Sequence, residues 1–435
     1  MHRIVPIAGC LLISACVDSS ETSDGAAAGL AAPPPSGAVN YSVSRGAGPD
    51  DLAALAIRHH PSVAAARHRA ERLAQKAPQE RSLPDPTLEV SAGSMAETAA
   101  GRTEAMGGLK QKIPFPGKRR EAAAAADSEA AAARAEVEAL ELRLAAQVHA
   151  AWWDLYLAGR TLSLAGESRS VLEAVREAVD ARVAADQANQ ADQIRLSNEL
   201  ALIDRDLAEA RQLRGTAQAR LNSLLNRPSG APLPTPDDRS IPSPGSLEDL
   251  LARAQTSHPE VAAAEQRAAA FRHRLKRAEL EKFPDFTAGV GGAAIADSGL
   301  SRVANGRDQI YATLGINIPL WHEPRKAMIR EAREGMAETD AMLAATRSDL
   351  RYRVEQAWFD VRTAREVADL FDTRLVPDAK QAYEVTLTGY SAGTSDFDDL
   401  IETWRQHLAY RLQLARNRAQ LGKATATLKA AAGLR

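Results

Sequence analysis

An internal duplication is the feature that most constrains how this chain of 435 residues can fold. Four short segments recur in the same order: 60–66 as 258–264, 83–87 as 283–287, 113–114 as 318–319, and 148–154 as 354–360. The offset rises slowly, from 198 residues between His60 and His258 to 206 between Trp152 and Trp358. Chance matches would not keep their order, so the pattern predicts two structural repeats of one architecture.

A proline-rich stretch separates the two repeats. Prolines stand at 228, 232, 234, 236, 242 and 244, and proline inside a helix removes a hydrogen bond and clashes with the preceding turn. We therefore expect a non-helical linker there. The predicted divisions are a signal peptide at 1–15, an extended N-terminal segment at 16–50, a first repeat at 51–226, the linker at 227–246 and a second repeat at 247–435.

Long helices are expected to make up most of each repeat. Alanine, the best helix former, is about one residue in five of the chain. Apolar residues in both halves recur at alternating spacings of three and four, which is typical of supercoiled helices. The predicted helices span 51–78, 117–180, 191–226, 247–278, 322–388 and 394–432.

Two short strands are expected in each repeat, at about 85–95 and 103–115, then 285–296 and 307–319. In the last of these, Ile310, Leu314 and Ile318 lie on one face and alternate with polar residues such as Gln309. A strand of about 10 residues with one apolar face suits a membrane barrel. Four strands cannot close such a barrel, which needs about 8 or more, so several copies would share one. The alternative is a soluble hairpin that caps a helical bundle.

The first residues indicate export from the cytoplasm. Arg3 precedes an apolar run from Ile4 to Ala15, which is too short to span a bilayer. Ile13-Ser14-Ala15-Cys16 has the form of a lipobox, so we expect cleavage before Cys16 and lipidation of that residue. The alternative is an ordinary signal peptide that contains a cysteine.

Composition and motifs argue against several other classes. With 54 basic and 56 acidic residues, the chain lacks the basic excess of a nucleic-acid binder. Both cysteines, Cys10 and Cys16, lie in the first 16 residues, which excludes a thiolate site or a cysteine nucleophile from the body. The histidines lack zinc-ligand spacing, and no nucleophile elbow or phosphate-binding loop occurs. We expect no catalysis, cofactor or resident metal.

From about residue 50 onward, the chain resembles the TolC family of outer-membrane efflux ducts. The duplication, the segment 111–119 and the segment Gly389–Thr394 carry this resemblance. The Pro-Phe-Pro-Gly-Lys-Arg stretch at 114–119 is similar to the heavy-metal, CzcC-like branch. The resemblance implies a mostly α fold with a small membrane β part. Duplicated coiled-coil helices would form an α-barrel, and a homotrimer would share one β-barrel of twelve strands.

The resemblance also implies functional residues at the predicted cylinder tip. Asp399 and Glu402 match two acidic positions that line a constricted mouth, where a trimer would present rings of carboxylates. Tyr390 and Asp192 match a latch between inner helices, although Ser395 replaces the family's tip arginine. The alternative for the acidic cluster is helix capping, with Asp396 or Ser395 at the N-cap.

Three further residues, Gly389, Gly393 and Thr394, are expected at the tip, where the family meets a periplasmic adaptor and an inner-membrane pump. At the opposite end, Lys118, Arg119 and Arg120 begin a long helix and are candidates for contact with lipid headgroups. A solvated basic face is the alternative for them.

Together these features predict a lipid-anchored outer-membrane duct for tripartite efflux, conducting cargo such as heavy-metal cations, with a periplasmic α-barrel. The alternatives are a type I secretion duct and a soluble periplasmic scaffold or adaptor.

Overall fold

The computed structural model describes residues 41–44, 46–93, 97–98, 101–184, 189–297 and 306–434. The predicted signal peptide and Cys16 lie outside these residues. The described chain is mostly helical, with one small sheet. Its helices are α1 Pro49–His59, α2 Pro61–Ala74, α3 Lys76–Arg81, α4 Lys118–Ala184, α5 Gln190–Leu224, α6 Leu247–Ser257, α7 Pro259–Leu280, α8 His322–Leu370, α9 Val376–Ala392 and α10 Phe397–Ala431. Its strands are β1 Thr87–Ala92, β2 Glu97–Thr98, β3 Gly101–Ile113, β4 Phe286–Ala296 and β5 Gln309–Ile316.

The duplication appears in the structure as equivalent helix starts. His60 and His258 are the N-caps of α2 and α7, and each imidazole accepts a hydrogen bond from the backbone N–H two residues on. A proline follows each histidine, at the first helical position where a missing N–H costs nothing. The two repeats therefore use the same local chemistry at the same point.

These caps also correct two predicted helix limits. The predicted helix 51–78 is three helices, α1 to α3, and the predicted helix 247–278 is two, α6 and α7. Each repeat breaks at its histidine, because the following proline cannot continue a preceding helix. The α2–α3 break has the same cause, since Pro78 removes the hydrogen bond that would reach Ala74.

The two longest helices lie close to their predicted limits. Helix α4 has 67 residues, which corresponds to about 100 Å of helix. Its counterpart is interrupted, because a π-helical turn at Phe371–Leu375 separates α8 from α9. Pro377 follows that turn and leaves the carbonyl of Thr373 without its regular helical donor, which favours an irregular turn there.

One antiparallel sheet joins the two repeats. Its strand order is β1-β3-β4-β5, with the two-residue β2 also paired to β3. At the centre, β3 of the first repeat pairs with β4 of the second over eleven residue pairs, including Leu109 with Val290 and Lys112 with Thr287. The long strands agree with the predicted ones to within a few residues.

Helix packing relies on small residues and on separate apolar clusters. One cluster surrounds Trp152, Trp153 and Tyr156 of α4. A second cluster, around Leu400 and Trp404, lies toward the α9–α10 turn. Gly422 of α10 lies under the Trp153 ring, and a Cβ atom there would come within 2.0 Å of it.

Candidate functional site

The sheet has one apolar and exposed face. The pairing places Leu88, Leu109, Val290 and Ala312 in one row across it, and Val90, Gly107, Gly292 and Ile310 in the next. Apolar side chains on this face are highly exposed to solvent: Val90 is 71% exposed, Leu314 83% and Ile310 93%. The opposite face carries residues such as Glu89, Lys110 and Thr313. Contiguous exposed apolar surface of this kind marks contact with a membrane or a partner.

The sheet also has two open edges in the described part of the chain. β1 pairs only with β3, and β5 pairs only with β4. The outer backbone groups of both strands therefore lack strand partners within this chain. An unpaired edge next to an apolar face is incompatible with the interior of a bilayer.

A buried lysine fixes the junction between the sheet and α4. Lys118 donates to a carboxylate oxygen of Asp285 at 2.9 Å and to the Phe283 carbonyl at 3.0 Å, and it pairs with Glu281 at 3.0 Å. Asp285 also accepts a hydrogen bond from the Phe115 backbone N–H, and the Phe115 ring stacks on Phe283. These contacts join the first repeat to the second directly below the sheet.

This geometry corrects the prediction that Lys118 contacts lipid headgroups. Its side chain is 7% exposed and already holds two carboxylates, so it cannot reach a headgroup. Arg119 donates to the Arg81 carbonyl, while the Arg120 side chain is 81% exposed. Headgroup contact remains a proposal for Arg119 and Arg120 only.

At the other end, a tight turn between α9 and α10 forms the predicted tip. Gly393 has a left-handed backbone with φ of 77°, and the Thr394 N–H donates to the Gly389 carbonyl at 2.8 Å. A Cβ at Gly389 would come within 2.3 Å of the Ser395 hydroxyl oxygen, so a larger residue there would require the Ser395 side chain to move. Asp396 occupies the N-cap of α10 without a side-chain capping bond, which removes the capping interpretation for that residue.

The predicted latch residues lie near each other, but they do not form the predicted bond. Tyr390 is 3% exposed, and no hydrogen bond joins its hydroxyl to the Asp192 carboxylate. Burial raises the pKa of the Tyr390 hydroxyl; the Arg182 charge opposes that rise and the Asp192 carboxylate adds to it. Arg182 is the direct contact, since its guanidinium lies 4.4 Å from the ring centroid and donates to the Tyr390 carbonyl.

A second arginine pairs the tip acids with α5. Arg195 forms an ion pair with Asp398 of α10 and lies 3.9 Å from the Asp192 carboxylate. Asp399 and Glu402 are exposed one turn apart on α10. Sequence reasoning missed Arg182 and Arg195, because their roles depend on which helices meet. The one hint in the sequence is Ser395, which stands where the family has an arginine. A cation at the tip therefore has to come from another position.

The described residues contain neither a candidate metal site nor a helix suited to span a membrane. No group of three or more histidine, cysteine, aspartate or glutamate side chains in the described ranges could hold a metal ion. None of the helices that the structure describes combines the length and apolarity needed to cross a bilayer.

Comparisons with known proteins agree with this architecture. Residues 250–434 match the family described as Outer membrane efflux protein. The cobalt-zinc-cadmium resistance protein CzcC of Cupriavidus metallidurans is 21% identical over 335 residues, which cover 77% of this chain and 78% of that protein.

Solved channels share the fold at low identity. The outer membrane protein VceC of Vibrio cholerae has a TM-score of 0.73 at 20% identity, covering 88% of this chain and 96% of that one. CusC has a TM-score of 0.74 at 16% identity, covering 92% and 98%. The MtrE channel of Neisseria gonorrhoeae has a TM-score of 0.72 at 19% identity, covering 89% of each.

The fold is thus that of TolC-like outer-membrane channels, with a helical part and a small β part. The match to the outer membrane efflux protein family covers residues 250–434, which is most of the second repeat.

Proposed function

We propose that three copies of this chain form an outer-membrane duct of a tripartite efflux system. The carrying observation is the sheet, which combines an exposed apolar face with two open edges. Three copies would supply twelve long strands, enough to pair every edge and turn the apolar faces toward lipid. The helices would then extend into the periplasm, since α4 alone is about 100 Å long.

The duct is a passive conduit in this proposal, without catalysis, cofactor or resident metal. Its tip would meet a periplasmic adaptor and an inner-membrane pump, with Gly389, Gly393 and Thr394 at the contact. Heavy-metal cations are the proposed cargo, because the relative CzcC is named for cobalt, zinc and cadmium resistance. Exposed Asp399 and Glu402 support this, since rings of carboxylates attract cations. A protein-exporting duct of type I secretion is the second candidate.

The tip is also the proposed gate. Tyr390, Asp192, Arg182, Arg195 and Asp398 lie where α4 and α5 meet α9 and α10. Opening a passage at this point would separate the two helix pairs and break the two arginine contacts. The gate in this chain therefore rests on arginines of the first repeat.

Lipid anchoring at Cys16 completes the proposal. Replacing Cys16 with alanine should abolish labelling of the protein with radioactive fatty acid. Labelling at the level of the unchanged chain would rule out the lipidation site.

Conductance across a planar lipid bilayer tests the duct. The purified protein should raise the conductance in discrete steps, whereas a soluble scaffold would leave it unchanged. Val90→Lys places a charge on the apolar face and should reduce insertion strongly, because a charge facing lipid costs about 2–4 kcal/mol at mid-bilayer. Ser91→Lys, one residue on and on the opposite face, is the matched control and should insert normally. Equal insertion of both variants would contradict the assignment of the lipid-facing side.

A further inference from the structure

The contact between the two repeats inside one chain is a template for the contact between copies. Within the chain, β3 of the first repeat pairs with β4 of the second in a register that sets Leu109 opposite Val290 and Lys112 opposite Thr287. Directly below, the Phe115 ring stacks on Phe283. A strand of the first repeat therefore already pairs with a strand of the second repeat within the sheet, in a known register.

The open edges are the duplicates of these same two strands. The offset of 205 residues that takes Ile113-Pro114 to Ile318-Pro319 takes β3 to β5. The offset of 200 residues that takes Leu83 to Phe283 relates β1 to β4 in the same way. The inner strands, β3 and β4, each have a strand partner on both sides. Their duplicates, β5 and β1 respectively, lack a strand partner on one side in the described part of the chain. A second copy is the occupant that matches both edges, because it repeats a contact the chain already makes.

We propose that β5 of one copy pairs with β1 of the next in the register copied from β3 and β4. Leu314 then lies opposite Val90 of the next copy, Ile316 opposite Leu88, and Asn317 opposite Thr87. This inference rests on the proposed shared barrel and adds the residue pairs that close it. The contact is head-to-tail, so a closed ring forms when the rotation between copies completes a circle.

The faces of the two strands agree with this register. Leu314 and Val90 are both highly exposed, at 83% and 71%, and both belong to the apolar face of the sheet. A shift by one residue would turn one strand's apolar side chains toward the other's polar face. The copied register keeps the apolar face continuous across the boundary between copies.

The apolar part of the junction below the sheet has a counterpart at the boundary between copies. Leu320 and Leu83 are the duplicates of Phe115 and Phe283, and they are 66% and 42% exposed in the single chain. The register brings them together across the boundary, which would cover both. The ionic half does not recur in the same form, since Glu323 stands where the first repeat has Lys118, and Arg81 stands where the second repeat has Glu281. The boundary between copies therefore has no counterpart of the buried lysine, and the charges of its pair with Glu281 are exchanged there.

Cysteine cross-linking measures this register, because the natural cysteines lie only at positions 10 and 16. Val90→Cys is combined in turn with Ala312→Cys, Leu314→Cys or Ile316→Cys, and the membrane-assembled protein is oxidised and run on a non-reducing gel. β1 and β5 of one chain are three strand spacings apart, about 14 Å, and too far for a disulfide. Any bond between the two introduced cysteines thus joins two copies.

We expect the Val90→Cys/Leu314→Cys pair to give covalent dimers and trimers, with at least about threefold more product than either flanking pair, since a disulfide needs Cα atoms within about 7 Å. The control is Leu109→Cys/Val290→Cys, the duplicate of the tested pair inside one chain, which calibrates how readily this pair type closes. Thr87→Cys/Asn317→Cys tests the other face in the same way, with Lys112→Cys/Thr287→Cys as its control, because the two faces hold opposite types of antiparallel pair.

Each outcome decides a different point. A maximum at Ala312→Cys or Ile316→Cys overturns the copied register but leaves the shared barrel standing. Closure of an internal control with no bond between copies at its matched pair or at the flanking positions overturns the shared barrel as well. The unchanged chain without added cysteines is the blank for bonds through the natural thiols.

Discussion

At the scale of single residues, burial separates three neighbouring cations that sequence reasoning had grouped. Lys118 lies against two carboxylates, Arg119 caps the end of α3 through its carbonyl, and Arg120 extends into solvent. The sequence Lys-Arg-Arg shows none of this, because the partners of Lys118 lie more than 160 residues away. A basic run at a helix start is therefore a weak guide to what each charge contacts.

Replacing Lys118 with methionine should destabilise the protein by roughly 3 kcal/mol, because it leaves Asp285 and Glu281 without their shared cation in a largely buried site. Arg120→Met, two residues on, should change the free energy of unfolding by no more than about 0.5 kcal/mol. Urea unfolding of both variants in detergent measures the difference. Equal midpoints would show that the Lys118 contacts contribute little to stability.

The tip acids make a second residue-scale prediction. Replacing both Asp399 and Glu402 with alanine should lower the preference for cations by at least about twofold in single-channel recordings, because ring carboxylates act at short range in a narrow pore. It should also weaken block by multivalent cations. Asp398→Ala is the comparison variant and should change selectivity less, because it removes a single tip carboxylate that Arg195 already neutralises. Selectivity that survives the double replacement would place the acids outside the pore.

At the scale of elements, close approach of helices depends on small residues. A Cβ at Gly422 of α10 would overlap the Trp153 ring of α4, whereas one at Gly215 of α5 meets nothing within 4 Å. Gly422→Ala should therefore destabilise the protein by about 1–3 kcal/mol through overpacking. Gly215→Ala should stabilise it by up to about 1 kcal/mol, since alanine favours helix more than glycine.

The opposite signs of the two glycine variants are the test. Denaturant midpoints of both proteins give the signs directly, and the same substitution type makes each the control of the other. If Gly422→Ala raised the denaturant midpoint as Gly215→Ala is expected to do, α4 and α10 would not pack closely at Gly422.

The ends of the helices and strands show how much of the fold can be predicted from the sequence. The long helix α4, helices α5 and α10, and the four long strands follow from alanine content, heptad spacing and period-2 alternation, which are local signals. The breaks at His60 and His258 also had a local signal, because a proline follows each. The π turn at Phe371–Leu375 had a weaker one in Pro377. The arginine contacts at the tip had no such signal, since they depend on tertiary packing.

At the scale of the whole molecule, duplication explains both the fold and its incompleteness. Each repeat supplies helices and two long strands, and within the sheet the repeats meet once, through β3 and β4. That single meeting satisfies one edge of each central strand and leaves β1 and β5 open on their outer sides. In the proposed assembly, further copies arranged in a ring pair with these two open edges.

The number of chains in the membrane-extracted particle tests this account most directly. Native mass spectrometry of the detergent-solubilised protein should give a particle of three chains, because three sets of four long strands reach the size of a small closed barrel. The same particle should persist when the concentration is lowered. A stable, detergent-soluble single chain, with its sheet edges unpaired, would contradict the central claim.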